Sequence, residues 1–233
     1  MSQEKIERSH RKEVVYSKDH WQILRAKRTR AKELLEIFPS FKPYIYGSVA
    51  RGDVHKNSDL DLIFLDRVPI FKVEYLLYAQ GIEKYSREIL MATPIDPIKL
   101  YIHLNEFETL QIPMTKLETR NLEFFDFGGK IDLKGLQADI RVKGVDKRLV
   151  FIEPNDSGHR EYSIIDSEPM VAKSLGVHID TVQERKEVLL RREQHGRTGV
   201  FLKRELALNE TPATVLREIA KKNSIVRKKL RSS

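Results

Sequence analysis

Two aspartates, Asp59 and Asp61, stand two positions apart in an apolar segment that contains Leu60 and Leu62. Successive side chains of a strand point to opposite faces, so a strand here projects both carboxylates from one face and both leucines from the other. Magnesium prefers carboxylate oxygens together with the phosphate oxygens of a substrate. The spacing therefore predicts a divalent-metal site on this strand.

A second group of residues that suits phosphate lies upstream, where Gly47 and Ser48 follow the short apolar segment 44–46. Glycine lets the backbone approach a phosphate closely, and free N–H groups with the Ser48 hydroxyl can hold its oxygens. Arg51 adds a fork-shaped cation. Each feature is common by itself. The joint pattern is more specific: a strand, then Gly-Ser-x-x-x-Gly, then Ser-Asp-x-Asp-Leu on a second strand predicts a metal- and nucleotide-binding site.

Residues 45–65 resemble the signature of the DNA polymerase beta-like nucleotidyltransferases, in particular the minimal archaeal and bacterial kind. The whole chain also resembles a family of archaeal predicted nucleotidyltransferases of similar length. The resemblance implies an α+β (α/β) fold, a mixed β-sheet with packed helices. It implies two Mg²⁺ (or Mn²⁺) ions shared by Asp59 and Asp61. It further implies nucleotide binding by the motif residues Gly47, Ser48, Arg51, Lys56 and Ser58.

The resemblance also implies a third carboxylate on a later strand. We expect Glu88 to fill this role as a catalytic residue and metal ligand, because it follows one helix and lies on a predicted strand. Asp96 is the alternative, but Pro94 and Pro97 bracket it and indicate a loop. A surface glutamate paired with a neighbouring cation is the other interpretation of Glu88.

The activity implied is metal-dependent transfer of a nucleoside monophosphate from an NTP to a hydroxyl acceptor, with release of pyrophosphate. An alternative of another class is a nucleic-acid-binding regulator whose nucleotidyltransferase fold senses nucleotide without turnover. Retention of both Asp59 and Asp61 with Ser48 favours the enzyme, because a sensor needs fewer metal ligands. The motif does not identify the acceptor or the base of the NTP.

The elements that must position the motif follow from hydrophobic periodicity. We expect helices at residues 19–37 and 70–80, the second closed by Gly81. Strands are expected at 44–46, 60–65, 85–92 and 99–104. A hairpin is expected where 148–154 and 162–165 flank a Pro-Asn-Asp-Ser-Gly turn. The pattern turns helical and basic after Pro169, so we predict a nucleotidyltransferase domain at 1–168 and a C-terminal domain at 169–233.

The C-terminal segment is predicted to be mainly helical and to resemble a winged helix-turn-helix. Leu175-Gly176-Val177 supplies the turn between two helices, and Val200-Phe201-Leu202 suggests a wing-like strand. Residues 170–233 carry a net charge of +8, whereas residues 41–169 carry −4. A basic tail beside an acidic middle suggests DNA or RNA as a partner. The candidate contacts are Arg191, Arg192, Arg197, Lys203 and Arg204; a solvated basic surface or a protein-binding helical domain is the alternative.

Composition limits the remaining possibilities. The chain of 233 residues has 40% hydrophobic and 33% charged residues, as expected of a globular protein. The absence of cysteine excludes disulfides and thiolate metal sites. No apolar stretch is long enough to predict a membrane span, and the polar N-terminus does not resemble a secretory signal. A cytoplasmic location is therefore the default expectation.

Overall fold

The computed structural model describes residues 5–196 and 199–231. Within them the chain forms a mixed α+β fold with two sheets. The larger sheet has the strand order β11-β4-β5-β6-β3-β2-β7. Its strands, in chain order, are β2 (Tyr44–Tyr46), β3 (Leu60–Ile63), β4 (Ser86–Met91), β5 (Lys99–His103), β6 (Glu108–Pro113), β7 (Lys130–Ile131) and β11 (Leu202–Glu205).

The smaller sheet is antiparallel and has the order β1-β10-β9-β8. Its strands are β1 (Arg11–Val15), β8 (Gly144–Val145), β9 (Val150–Asn155) and β10 (Gly158–Ser163). The last two form the predicted hairpin. The helices are α1 (Lys18–Glu36), α2 (Ser48–Arg51), α3 (Ile70–Ala79), α4 (Thr119–Gly128), α5 (Leu133–Gln137), α6 (Glu168–Leu175), α7 (Ile179–His195), α8 (Pro212–Lys222) and α9 (Ser224–Arg231).

Local sequence accounts for the helix ends. The Ser17 hydroxyl accepts a hydrogen bond from the His20 N–H (3.2 Å) at the start of α1. Gly176 turns the chain between α6 and α7 with a φ of +67°, which a residue with a side chain adopts at a cost. Thr211 caps α8, and Pro212 occupies its first turn, where a missing N–H is harmless.

One face of the larger sheet forms the main hydrophobic core. Leu62, Ile89, Leu100 and Leu110 are fully buried there, together with leucines of α1. On β3 the opposite face carries Asp61, because the side chains alternate as predicted. That second face is polar over much of its width, and the site described below lies on it.

The residues after position 168 are not packed apart from those before it. β11 pairs antiparallel with β4, so the segment predicted to be a wing is the edge strand of the larger sheet. Val215 and Leu216 of α8 are buried in the main core. β11 thus covers an edge of β4 that would otherwise be unpaired, and the division into two domains at 168 stays a prediction. The predicted helices at α6 and α7 do form, but their identity as a helix-turn-helix stays a prediction.

A second hydrophobic cluster joins α6 and α7 to the smaller sheet. It contains the buried residues Phe151, Ile164, Val171 and Val182. Among the described residues, no helix combines the length and apolar character needed to cross a membrane.

Candidate functional site

The two motif aspartates lie at the start of β3, next to the end of β2. Asp61 is paired across the antiparallel ladder with Tyr46, the last residue of β2. Asp59 immediately precedes β3 and is exposed, whereas Asp61 is part-buried. Burial raises the pKa of the Asp61 carboxyl, and the nearby charge of Asp59 raises it further. A cation between the two carboxylates would relieve both effects.

Gly47 and Ser48 form the turn between β2 and α2 beside this aspartate pair. Gly47 has a φ of +83°, which explains a glycine there. Its N–H donates to the Gly129 carbonyl (2.8 Å), so the backbone between α4 and β7 anchors the turn. This N–H is not available for a phosphate. The predicted role of Ser48, the first residue of α2, stays a prediction.

Arg51 has a structural role. Its side chain is buried, and its Nε and Nη2 donate to the two carboxylate oxygens of Asp53 at 3.0 and 2.8 Å. Its Nη1 donates to the Gly128 carbonyl. All three directions of the guanidinium are therefore used inside the protein. Arg51 therefore stabilises the turn through internal hydrogen bonds, and its contact with nucleotide stays a prediction.

The remaining motif residues belong to the loop before β3. The Ser58 hydroxyl accepts a hydrogen bond from the His55 N–H (2.9 Å), and its carbonyl accepts one from the Lys27 ammonium (2.6 Å). Ser58 is buried and holds the loop, whereas Lys56 is exposed. Contacts of Lys56 and Ser58 with nucleotide stay predictions.

Glu88 does not reach the aspartate pair, which corrects the expected third ligand. It lies on β4, and β5 and β6 separate β4 from β3. Three strand spacings place Glu88 roughly 14 Å from β3. Its carboxylate instead contacts Lys203 of β11 (2.9 Å) and the Nε2 of His103 (3.6 Å). Sequence order suggested proximity, but strand order decides it.

The strand beside Asp61 is β6, and it supplies neutral groups. Thr109 is the register partner of Asp61, and the Gln111 amide donates to the Asp61 carboxylate (3.2 Å). No cluster of three His, Asp or Glu residues suited to a metal occurs in the described part of the chain. Two adjacent carboxylates with polar oxygen neighbours fit one hard divalent cation completed by phosphate oxygens. The second ion of the predicted pair stays a prediction.

Polar side chains continue along this face of the sheet. His103 of β5 is the cross-strand partner of Thr109, and its Nδ1 lies 3.0 Å from the Thr109 hydroxyl oxygen. Lys99 and Tyr101 share the face because β5 alternates. The alternation Lys-Leu-Tyr-Ile-His was visible in the sequence as a half-polar strand. The proximity of β5 to Asp61 could not be predicted, because β5 adjoins β3 only through β6, a strand that was not predicted.

Two cations that have no carboxylate partner among the described residues lie over a pair of phenylalanines beside the site. The Lys99 Nζ lies 4.7 Å from the centre of the Phe125 ring, and the Arg185 Cζ lies 4.5 Å from that of Phe124. Burial lowers the pKa of Lys99 to about 8, opposed by the charges of Asp96 and Asp61. Sequence reasoning missed both residues.

The side chain of Arg185 gives a second observation that favours anion binding here. Its Nε is buried and has no hydrogen-bond partner within the described chain. Burial lowers its pKa, while the hydroxyl of Tyr46 and the carboxylate of Asp96 act in the opposite direction. A buried N–H without a hydrogen-bond acceptor is costly, so an anion that accepts from this Nε would stabilise the side chain.

Comparison with known proteins agrees with this arrangement. A family model described as a nucleotidyltransferase domain matches residues 27–166, more than half of the chain. The chain belongs to this nucleotidyltransferase family. No curated protein and no solved structure matches the chain.

The nucleotidyltransferase match includes both aspartates, the Gly47-Ser48 turn and Lys99, but it ends before α6. Arg185 lies on α7 and is therefore contributed by residues beyond the matched domain. The C-terminal segment thus supplies a side chain to the candidate site as well as a strand to the sheet. The motif alone indicated neither contribution.

The basic residues predicted to contact nucleic acid have different environments in this nucleotidyltransferase. Arg191 and Arg192 are exposed near the end of α7. Lys203 is paired with Glu88, and Arg204 with Glu210 (2.7 Å). Arg197 lies outside the described residues. Nucleic-acid binding by this region stays a prediction.

Proposed function

We propose that this nucleotidyltransferase transfers a nucleoside monophosphate from an NTP to a hydroxyl acceptor and releases pyrophosphate. The observation that carries the proposal is the register of β2 with β3, which pairs Tyr46 with Asp61. The Gly47-Ser48 turn therefore leaves the sheet beside the two carboxylates. The Ser48 hydroxyl, proposed to bind phosphate, would then adjoin the two carboxylates, proposed to bind a cation, as transfer of a phosphoryl group between two oxygens requires.

Asp59 and Asp61 are the residues that would hold a divalent cation, Mg²⁺ or Mn²⁺. Such an ion would neutralise phosphate charge and favour ionisation of an acceptor hydroxyl. The two carboxylates would fix the position of this ion beside the start of β3. Asp61 is further oriented by the amide of Gln111.

Lys99 and Arg185 are proposed to bind the phosphates of the NTP, in the role first assigned to Arg51. Both are part-buried cations with no ion-pair partner within the described residues. Preorganised charges of this kind stabilise negative charge that develops on a leaving group. The leaving group here is pyrophosphate.

His103 is the group we propose to accept the proton of the acceptor hydroxyl. It lies on the same face as Asp61, two strands away across β6. No third carboxylate lies beside Asp59 and Asp61 in the described chain. An acceptor hydroxyl placed between His103 and Asp61 would meet both the base and the bound phosphate.

The test uses each of the four NTPs with the label on the α-phosphate, with Mg²⁺ or Mn²⁺, against tRNA, protein and small-hydroxyl acceptors. We expect label transfer and equimolar pyrophosphate from at least one NTP. Asp61→Asn should lower the rate by roughly two to three orders of magnitude. Asp66→Asn is the matched control, because Asp66 is exposed and follows the other end of β3. NTP binding that is unaffected by Asp59→Asn and Asp61→Asn would contradict the site.

A further inference from the structure

A line of three side chains crosses the polar face of the larger sheet next to Asp61. The hydroxyl oxygen of Thr109 lies 3.0 Å from Nδ1 of His103. The Nε2 of the same ring lies 3.6 Å from a carboxylate oxygen of Glu88. Hydroxyl, imidazole and carboxylate follow one another, in the order that activates a hydroxyl as a nucleophile.

The Glu88 carboxylate favours one tautomer of the His103 imidazole. Glu88 can only accept, so it favours the tautomer with a proton on Nε2. Nδ1 is then unprotonated and accepts the hydrogen bond that the Thr109 hydroxyl donates. Lys203 contacts the other oxygen of Glu88 at 2.9 Å, which holds this carboxylate in place.

Thr109 is also the residue of β6 in register with Asp61. Neighbouring strands are about 4.8 Å apart, so the Thr109 hydroxyl lies on the same face within reach of a phosphate beside Asp61. Both Thr109 and His103 are part-buried and retain exposure to the site. The hydroxyl that stands between the proposed base and the proposed phosphate site therefore belongs to the protein itself.

We propose that the Thr109 hydroxyl is an acceptor of the transfer reaction, so that the protein attaches a nucleotide to its own Thr109. The proposal rests on the proposed function, since it uses the same NTP site. The Thr109 oxygen attacks the α-phosphorus, and the bond between this phosphorus and the bridging oxygen of the β-phosphate breaks. Pyrophosphate leaves with the electron pair of that bond. The Thr109 proton passes to Nδ1 of His103, and the product is a phosphodiester between Thr109 and the nucleoside.

The consequence is a reaction that stops after one turnover. The phosphodiester would occupy the space beside Asp61 that the next NTP requires. We therefore expect at most one nucleotide per chain, and slower transfer to added acceptors by the modified protein.

The experiment incubates the full-length chain with each NTP and Mg²⁺ or Mn²⁺, without added acceptor. Intact-protein mass spectrometry measures the adduct, peptide fragmentation locates it, and a coupled assay measures pyrophosphate. We expect one nucleoside monophosphate on the peptide that contains Thr109. Thr109→Val should reduce the adduct at least a hundredfold, whereas Thr109→Ser should retain it and shows that the fold is intact.

A second pair of variants tests the base. His103→Gln should slow adduct formation by about a hundredfold, the usual contribution of a general base. His55→Gln is the matched control, because His55 is exposed in the loop before β3. Equal rates for His103→Gln and wild type would overturn the assignment of the base and with it the proposed step.

The outcomes separate this inference from the proposed function. Pyrophosphate and labelled external acceptor without an adduct on Thr109 would overturn the inference and leave the proposed function standing. An adduct that maps to another residue would do the same. Absence of pyrophosphate with every NTP, with and without acceptors, would overturn both.

Discussion

At the scale of single residues, the charge of Lys99 should make NTP binding depend on pH. Its ammonium is part-buried against Phe125, and burial lowers its pKa to about 8. If Lys99 binds NTP phosphate, the affinity for NTP is highest below pH 8, where the ammonium is charged. It falls as pH rises through about 8, because the neutral amine no longer attracts an anion. Lys99→Met should weaken NTP binding below pH 8 and flatten this dependence.

The measurement for Lys99 is NTP affinity by calorimetry between pH 6.5 and 9.5. Lys116→Met, a change of the same type at an exposed position, is the control. Identical pH profiles for Lys99→Met and wild type would remove Lys99 from the phosphate site. The sign for stability differs: a charged Lys99 is buried at a cost, which is relieved as pH rises above about 8.

The internal hydrogen bonds of Arg51 predict that it contributes to the stability of the fold. It is buried and bidentate to Asp53, so Arg51→Met leaves a part-buried carboxylate without its partner. We expect a loss of about 3–5 kcal/mol in the free energy of unfolding. Urea denaturation measures it. Arg25→Met, at an exposed position of α1, should change stability by less than about 0.5 kcal/mol.

At the scale of elements, the contact of α4 with β2 positions the site. A Cβ added to Gly128 would lie 2.3 Å from the Tyr46 hydroxyl, which is closer than any tolerable contact. Gly128→Ala should therefore displace Tyr46 or α4 and cost about 1–3 kcal/mol. Because Tyr46 pairs with Asp61, NTP affinity should fall as well.

Thermal unfolding and NTP titration of Gly128→Ala test this contact. Gly199→Ala is the control, since a Cβ there meets nothing within 4 Å. Unchanged stability in Gly128→Ala would show that α4 approaches β2 less closely than the structure indicates.

At the scale of the whole molecule, the C-terminal segment completes the nucleotidyltransferase fold. A chain that ends at Asp166 loses β11 from the edge of β4 and the buried residues Val215 and Leu216 from the main core. We expect this fragment to aggregate, or to unfold at a much lower temperature than the full chain. Circular dichroism and size-exclusion chromatography give the answer. A folded, NTP-binding fragment of this length would support two independent domains.

The uneven charge of the molecule supports a further prediction about nucleic acid. Residues 170–233 carry a net charge of +8. We expect salt-sensitive binding to duplex DNA or structured RNA, weaker by roughly tenfold or more between about 50 and 200 mM salt for a handful of phosphate contacts. Arg191→Ala with Arg192→Ala should weaken it further at low salt.

Fluorescence anisotropy at two salt concentrations tests nucleic-acid binding. Arg11→Ala with Lys12→Ala is the charge-matched control, because both residues are exposed on β1. Absence of salt-sensitive binding to any nucleic acid would contradict this prediction. The segment from α6 to α9 would then serve only to pack against the rest of the fold and to contribute Arg185 to the site.

Much of the fold was accessible from the sequence because its signals are local. The alternation of Leu60, Asp61 and Leu62 predicts the strand and the shared face of the two aspartates, since the period of a strand is two residues. The helical spacing in α1 and the glycine after α3 are likewise properties of neighbouring residues. These signals identified the motif and the β2 and β3 strands that bear it, and the family match agrees with them.

The rest depended on contacts between residues far apart in the chain. Strand order made β6, not β4, the neighbour of β3, so Thr109 and Gln111 stand beside Asp61 and Glu88 does not. Burial turned Arg51 inward. Sequence by itself determined which residues alternate within the predicted strands and where α1, α3 and the motif strands lie. Tertiary structure alone decided which strands are adjacent, because strand pairing is a competition among distant segments for the same edge.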